Sequence, residues 1–386
     1  MTYGIPTKNY QNVNVFVHSG KLYTTAENYP ALETDIHTLE SLDNWDFNGA
    51  WKGPFNSHPK VAPGSGELVI MGVDGQKPYY VIGVVSSKTS LKLLLHKVDL
   101  EFSRSVLSHE IGVTQNYNVI IDHPLLLDLT SIIKGGQLLK YDSKGKSRIG
   151  VMPRYGDKNS VKWFEVEPNC TFHLVNCFED GDEVLVVRGC RASTSIIPGP
   201  DWGEDKFEWF SKGFNFSKST ENDADNSEEN GCLFHRVHEW RLNMVTGTVD
   251  EKSLTGTDFS MDFPFINGEF TGLKHKYGYT QVIDSLASST SGPRFLNPEG
   301  KIKVEYHKLE ENVFCSGATF VSKSGGGEED DGFIVSYVHD EVSSISQVLI
   351  IDAKKFKSQP IATITLPNRV PYGFHGTFIS MRHDQA

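Results

Sequence analysis

The sequence predicts an all-β fold, and two observations carry that reading. Short apolar or alternating runs follow one another along most of the chain, punctuated by Gly, Ser, Asn and Asp at intervals of about eight to twelve residues. Long amphipathic helices are nearly absent; the best short candidate is PLLLDLTSIIKGG, Pro124 to Gly136. A sandwich or a propeller satisfies this pattern. A parallel α/β sheet, which needs a helix between strands, does not.

The strands read in order. ELVIMGVD, PYYVIGVVSS, LKLLLHKVDLEF, SVLSHEIGVT and NYNVIID run from Glu67 to Asp122. VKWFEVE, CTFHLVNCF and DEVLVVRGCR continue the rhythm, then EWRLNMVTGTVD, and finally GFIVSYVHDE, SQVLIIDAK and PIATITLP. Two stretches break it. Residues 192–231, ending in NDADNSEENG, mix aromatics with an acidic polar run and read as a surface insertion. SKSGGGEEDDG, Ser322 to Gly332, reads as a solvated turn, since it lacks the alternating oxygen ligands of a calcium loop. With no low-complexity linker to divide it, the chain is expected to form one domain over residues 1–386.

Composition removes several function classes. The formal net charge is -12 and no long Lys/Arg cluster occurs, which argues against a surface that tracks nucleic-acid phosphates. The five cysteines show no CxxC spacing and read as reduced thiols rather than a disulfide framework or a zinc site. No run of about 18 apolar residues is present for a membrane helix. MTYGIPTKNYQNVNVF has neither an apolar signal core nor Arg/Ser-rich transit character, so a cytoplasmic location is expected.

Hydrolase and nucleotide signatures (GxSxG, HExxH, a Walker glycine loop) are missing. His235 and His238 are close in FHRVHEW, but the surroundings read as a strand, where residues three apart face opposite sides. Four other histidines share a local setting: His58 in NSHPKVAPGSGE, His109 in LSHEIGVT, His173 in CTFHLVNCFEDGDE and His375 in PYGFHGTFI. Each sits at or near a strand end, beside an apolar residue or a turn former. Their separations alone carry no information, and His375 by itself reads as a core histidine. In a radial fold, however, strands from different blades converge on one axis. Four neutral imidazoles meeting there would favour iron, copper, nickel or zinc over calcium or magnesium.

SHPKVAPGSGE, YDSKGKSRIGVMPRYGD, CTFHLVNCFEDGDEVLVVRGCR, MDFPFINGEFTGLKHKYGY, EEDDGFIVSYVHDE and LPNRVPYGFHGTFI, in this order, resemble the carotenoid cleavage oxygenase family, in particular its plant 9,10-cleaving members. The likeness runs from about Val13 to the C-terminus and is weakest over Ala192–Gly231. It implies a seven-bladed β-propeller holding a non-haem Fe(II) on its axis through His58, His109, His173 and His375. It also implies carboxylates that accept the other ring N–H of these ligands: Glu27 for His109 and Asp262 for His173. His339, in YVHDE, matches a family histidine that is not a ligand and reads as structural.

The sequence departs from the family at two places. Where the family pattern resembles GSEAIFV this chain has CSGATFV, so Gly317 replaces the acid expected to support His375, and Glu310 and Glu311 are out of register with it. Loss of such a partner typically costs about 10–100-fold in metal affinity or activity. The likeness also implies a further stretch before Asn12, so the first blades are expected to be missing and the domain N-terminally incomplete. A transit peptide on such a stretch would direct the protein to the plastid instead.

The implied activity is dioxygenase cleavage of a conjugated C=C bond in a carotenoid or apocarotenoid, with O2, to two carbonyl products. Stilbene-type cleavage and a non-catalytic lipid-binding propeller remnant are the alternatives. PLLLDLTSIIKGGQLLKY (Leu125, Leu126, Leu127, Leu129, Ile132, Ile133) and the aromatic KFEWFSKGFNF (Phe207, Trp209, Phe210, Phe214, Phe216) are candidates for peripheral membrane contact, with ordinary packing as the other reading.

Overall fold

The computed structural model describes residues 11–380 apart from 28, 48, 88–94, 129–130, 132–133, 135–137, 195–232, 284–289, 297–301 and 374. Six four-stranded antiparallel sheets follow one another along the chain, which makes the fold an all-β propeller. The first is β1–β4 (Asn14–His18, Lys21–Thr25, Ala31–Thr34, Ser41–Trp45). The second is β5–β8 (Lys60–Val61, Leu68–Val73, Tyr80–Val85, Leu95–Asp99). The third takes β9 (Gly112–Val113), β10 (Tyr117–Asp122), β13 (Ser147–Pro153) and β14 (Lys162–Val166). Between β10 and β13 it extends a two-stranded ribbon, β11 (Leu125–Leu127) and β12 (Leu139–Tyr141).

The fourth sheet is β15–β18 (Cys170–Asp180, Val184–Ala192, Arg236–Asn243, Val249–Ser253). The fifth is β19–β22 (Ser260–Phe265, Tyr277–Ile283, Thr290–Leu296, Lys303–Lys308). The sixth is β23–β26 (Val313–Ser322, Gly332–Asp340, Ile345–Asp352, Ala362–Thr365). In the last five sheets the first strand is the inner one: β5 touches β9, β9 touches β15, β15 touches β19 and β19 touches β23. The inner strands therefore form an arc around one axis.

Each junction between consecutive sheets holds its own apolar cluster. Phe47 and Phe55 meet Leu68 and Ile70 between the first two sheets. Met71 and Ile82 meet Ile111 and Ile120 at the next junction, and Val119 and Phe164 meet Leu185 and Trp240 at the third. Val237 and Met261 join the fourth and fifth sheets, and Tyr279, Phe320 and Leu349 join the fifth and sixth. This explains why central strands such as LVIMGV are buried at every position: both faces meet a neighbouring sheet. Burying a Leu, Ile or Phe side chain contributes about 1.5–3 kcal/mol. Gly72 marks how closely the layers approach, because a Cβ there would lie 2.1 Å from the Pro54 carbonyl oxygen.

Several expectations are corrected. Six four-stranded sheets are present among the described residues, where a seven-bladed propeller with its first blades missing was expected. The helix expected from Pro124 begins instead as β11, paired with β12, because Leu125, Leu126 and Leu127 pack against the core beneath them. The acids of Ser322–Gly332 are not all solvated: Glu329 and Asp330 are buried, and the Glu329 carboxylate accepts the backbone N–H groups of Lys276 and Tyr277. The proposed insertion lies almost wholly outside the described residues, as do Leu129, Ile132, Ile133 and the KFEWFSKGFNF aromatics. Cys170, Cys177, Cys190 and Cys315 form no disulfide among the described residues. Among the described residues, no helix is long and apolar enough to cross a membrane.

Candidate metal centre

The four histidines singled out from sequence meet at one place on the axis. His58 precedes β5, and its backbone forms a parallel bridge with Glu110. His109 lies in the segment leading to β9, His173 in β15, and His375 in the segment after β26. Ring centroids lie 4.6 Å apart for His58–His109, 5.2 Å for His58–His173, 4.4 Å for His58–His375, 5.0 Å for His109–His173 and 5.0 Å for His173–His375. One nitrogen each from His58, His173 and His375 falls within 4.8 Å of the others, and His109 Nε2 is 3.0 Å from His58 Nε2.

Irregularities in the inner strands bring these groups to the axis. The pairing of β15 slips between Thr171 and Leu174, around His173. That of β19 slips between Asp262 and Phe265, where Phe263 takes a left-handed φ of 52°. That of β23 slips between Cys315 and Ala318, where Gly317 has φ 79°. Bulges bend a strand and re-aim its side chains, and they concentrate beside functional sites. Here three successive inner strands carry one, and each lies beside the histidines.

Hydrogen bonds fix two of the rings. His109 Nδ1 is 2.8 Å from Glu27 Oε2, and Ser57 Oγ donates to the same oxygen. His173 Nδ1 is 2.9 Å from Asp262 Oδ1, which also accepts from the Phe263 N–H. A carboxylate accepts, so each Nδ1 carries the proton and each Nε2 keeps its lone pair. His173 Nε2 is buried and without a hydrogen-bond partner among the described residues. Two lone pairs turned into a crowded, buried cluster are unfavourable unless they share a proton or a cation. The donor set therefore fits a metal ion, and four neutral imidazoles suit a borderline transition metal.

The electrostatics favour the neutral ring at two of the four. Burial, reinforced by His109, His375 and His173, holds the His58 imidazole well below its ordinary pKa. Burial and the neighbouring His173 and His109 lower His375 to about 2. His109 goes the other way: burial opposes its charge, but Glu27 outweighs burial and raises it. Asp262 is buried, which favours the neutral acid, yet His173 and His235 keep it far below the usual carboxylate range.

His375 is held differently. Among the described residues no carboxylate hydrogen bond or ion pair to its ring is found, in keeping with Gly317 at the expected acid position. Its chain segment is instead tied through the backbone. Ser346 accepts at its carbonyl from Leu366 N–H and at Oγ from Val370 N–H. Ser316 Oγ donates to the Pro371 carbonyl and accepts from Gly373 N–H. Gly317 lies against His375 itself: a Cβ at residue 317 would sit 3.1 Å from the His375 carbonyl carbon and oxygen. A glutamate there would meet both this contact and a φ that side chains avoid.

The sequence reading placed His235 and His238 on opposite faces, and they do diverge. His235 lies 3.8 Å from Asp262 Oδ2, whereas His238 contacts Ser253 Oγ and Glu251 Oε2 at 3.3 Å. His339 lies away from this cluster, its Nδ1 2.9 Å from Ser346 Oγ. The site also holds residues the sequence reading passed over. Phe172 stacks on His109 at 5.0 Å, and Phe263 lies 5.2 Å from His173 and 5.7 Å from His375. Glu110, Lys60 and Ser316 likewise adjoin the site. Phe172, Phe263 and Glu110 are each the immediate neighbour of a residue already singled out, and that adjacency was the available signal.

Residues 2–380 match the family model described as retinal pigment epithelial membrane protein. The chain belongs to this family, that of the carotenoid oxygenases. It is 32% identical over 98% of its length to a carotenoid 9,10(9',10')-cleavage dioxygenase of Crocus sativus, covering 67% of that relative. A rice relative named as a chloroplastic 9-cis-epoxycarotenoid dioxygenase is 27% identical over 97% of this chain and 56% of its own length. The chain thus spans about two thirds of the length of several curated relatives it matches. Among solved structures, a lignostilbene dioxygenase of Pseudomonas brassicacearum superposes with TM-score 0.78 at 21% identity, over 96% of this chain and 75% of that one. A variant of the Synechocystis apocarotenoid oxygenase gives TM-score 0.79 at 19% identity, over 98% and 76%. These two show that this family member has the family's fold.

Proposed function

We propose that this protein is a non-haem iron(II) dioxygenase cleaving a conjugated C=C bond of a carotenoid or apocarotenoid to two carbonyl products. One C=C bond and one O2 become two C=O groups, so atoms balance and no proton is gained or lost. A site without a dedicated general acid or base suits that stoichiometry. The observation that carries the reading is the meeting of four imidazoles, two with their protonated Nδ1 on a carboxylate and their Nε2 free to ligate. His58, His109, His173 and His375 would hold the metal, and iron(II) bound there would supply the chemistry that activates O2. Glu27 and Asp262 fix the tautomer and direction of two ligands. Phe172 and Phe263 give the site apolar walls suited to a hydrocarbon.

The names of the sequence relatives favour a carotenoid over a stilbene. The chloroplastic rice relative favours the plastid alternative over the cytoplasm expected from the sequence. Peripheral contact with a bilayer would give access to so apolar a substrate, but Leu125–Leu127 serve core packing and add nothing to that case.

Purified protein incubated with iron(II), O2 and, separately, a carotenoid, an apocarotenoid and a stilbene tests the reading, with product aldehydes identified by mass. Two carbonyl fragments from a polyene are expected. Folded protein that retains a carotenoid intact and takes up no iron would show a lipid-binding remnant instead. Cleavage of the stilbene alone would move the substrate class.

A further inference from the structure

Glu110 is a buried acid that the ligand scheme does not use, 3% exposed and next in sequence to His109. Its backbone bridges His58. One carboxylate oxygen pairs with Lys60 Nζ, two residues beyond His58, and the other accepts the N–H of Leu174, next to His173. One residue thus joins the three chain segments that present His58, His109 and His173. A cavity of about 180 Å³ lies there, lined by Lys60, Leu174, Val175, Asn176, Pro264 and Phe265 among others.

We propose that Glu110 is a positioning residue that sets the mutual geometry of His58, His109 and His173, acting through Lys60 and the Leu174 N–H. The proposal rests on the reading of these histidines as metal ligands. Its chemistry is specific. A carboxylate offers two acceptor oxygens in a fixed plane, so it can hold an ammonium on one segment and an amide N–H on another. Gln keeps one acceptor but loses the charge that holds Lys60. Asp keeps the charge but is too short to span both partners. Glu110 is buried while the Lys60 side chain is 27% exposed, so removing the carboxylate charge lets Lys60 turn to solvent and unties its segment from the other two.

The test is cobalt(II) titration of metal-free protein, following affinity and the ligand-field spectrum well below the melting temperature. Glu110→Gln and Glu110→Asp are compared with the parent and with His173→Ala, and melting curves are recorded in parallel. The expected result is an altered spectrum and about tenfold weaker cobalt binding in Glu110→Gln, with a smaller loss in Glu110→Asp. A merely structural residue would lower the melting temperature and leave spectrum and affinity unchanged; that outcome in either folded variant overturns the proposal. Should Glu110→Gln not fold, Glu110→Asp decides by the same readouts. Parent-like cobalt binding by His173→Ala would instead overturn the ligand reading on which the proposal stands.

Discussion

The arms that carry His173 and His375 reach the same point by different physical means. His173 sits in the inner strand of a four-stranded sheet, 5% exposed, with its ring proton on the buried Asp262 carboxylate. His375 sits beyond the last strand, only partly buried, and its segment is held by hydrogen bonds between its backbone and Ser316 and Ser346 and by contact with Gly317. A carboxylate fixes tautomer, orientation and basicity of an imidazole together. Backbone ties fix where the chain runs but leave the ring's tautomer to its surroundings. In the proposed metal site the first arm would be pre-organised, whereas the second would depend on the other three histidines to settle it.

Removing the carboxylate gives the largest expected difference between the arms. Asp262→Ala should weaken metal binding by about 10–100-fold, measured by cobalt or iron titration, because His173 then loses its fixed tautomer. Equal affinity in that variant would mean that Asp262 does not set the tautomer and direction of His173. Gly317→Ala probes the other arm. The left-handed φ costs a non-glycine residue about 1–2 kcal/mol, and the added Cβ presses on the His375 carbonyl. A lower melting temperature with a several-fold loss of metal affinity is expected. For the same reason Gly317→Glu should not improve metal binding, and a gain would show that the position can accept its acid.

The smallest effect is a pH dependence that the His375 arm shares with other buried histidines. Burial lowers His58 and His375, and away from the centre it lowers His123 to about 4 and His275 to about 3. Unfolded histidines titrate near pH 6.5, so below that value the unfolded chain takes up protons that the buried rings refuse. Stability therefore falls as pH drops from about 6.5 towards the folded values. His109, raised by Glu27, works in the opposite direction but is one group against several. The melting temperature of metal-free protein should fall between about pH 6.5 and 4.5, and a flat or rising profile would contradict the neutral state assigned to these rings.

The strand rhythm and the histidine set were legible because both are local: alternation marks a strand, and each histidine carries its own flanking motif. Glu27 and Asp262 were named as partners through resemblance to the family rather than spacing, and each lies within hydrogen-bond distance of its histidine. What stayed hidden was what depends on contacts across the fold. The leucines after Pro124 look helical by period, yet they pair as a strand because the core beneath accepts them there. Glu329 sits in an acidic run that reads as solvent-facing, yet two backbone donors from a distant segment claim it. Gly317 read as the loss of an acid; its backbone angle and its contact with His375 show a second constraint on the same position. Glu110 bridges segments that are far apart in sequence, and no local pattern announces such a bridge.

The central claim is that His58, His109, His173 and His375 bind one metal ion together. X-ray absorption of iron-loaded protein, compared between the parent and a His375→Ala variant, tests it most directly. Four imidazole nitrogens on a single iron in the parent, and three in the variant, are the predicted result. A parent spectrum with fewer imidazoles, or one unchanged by removal of His375, would contradict the account.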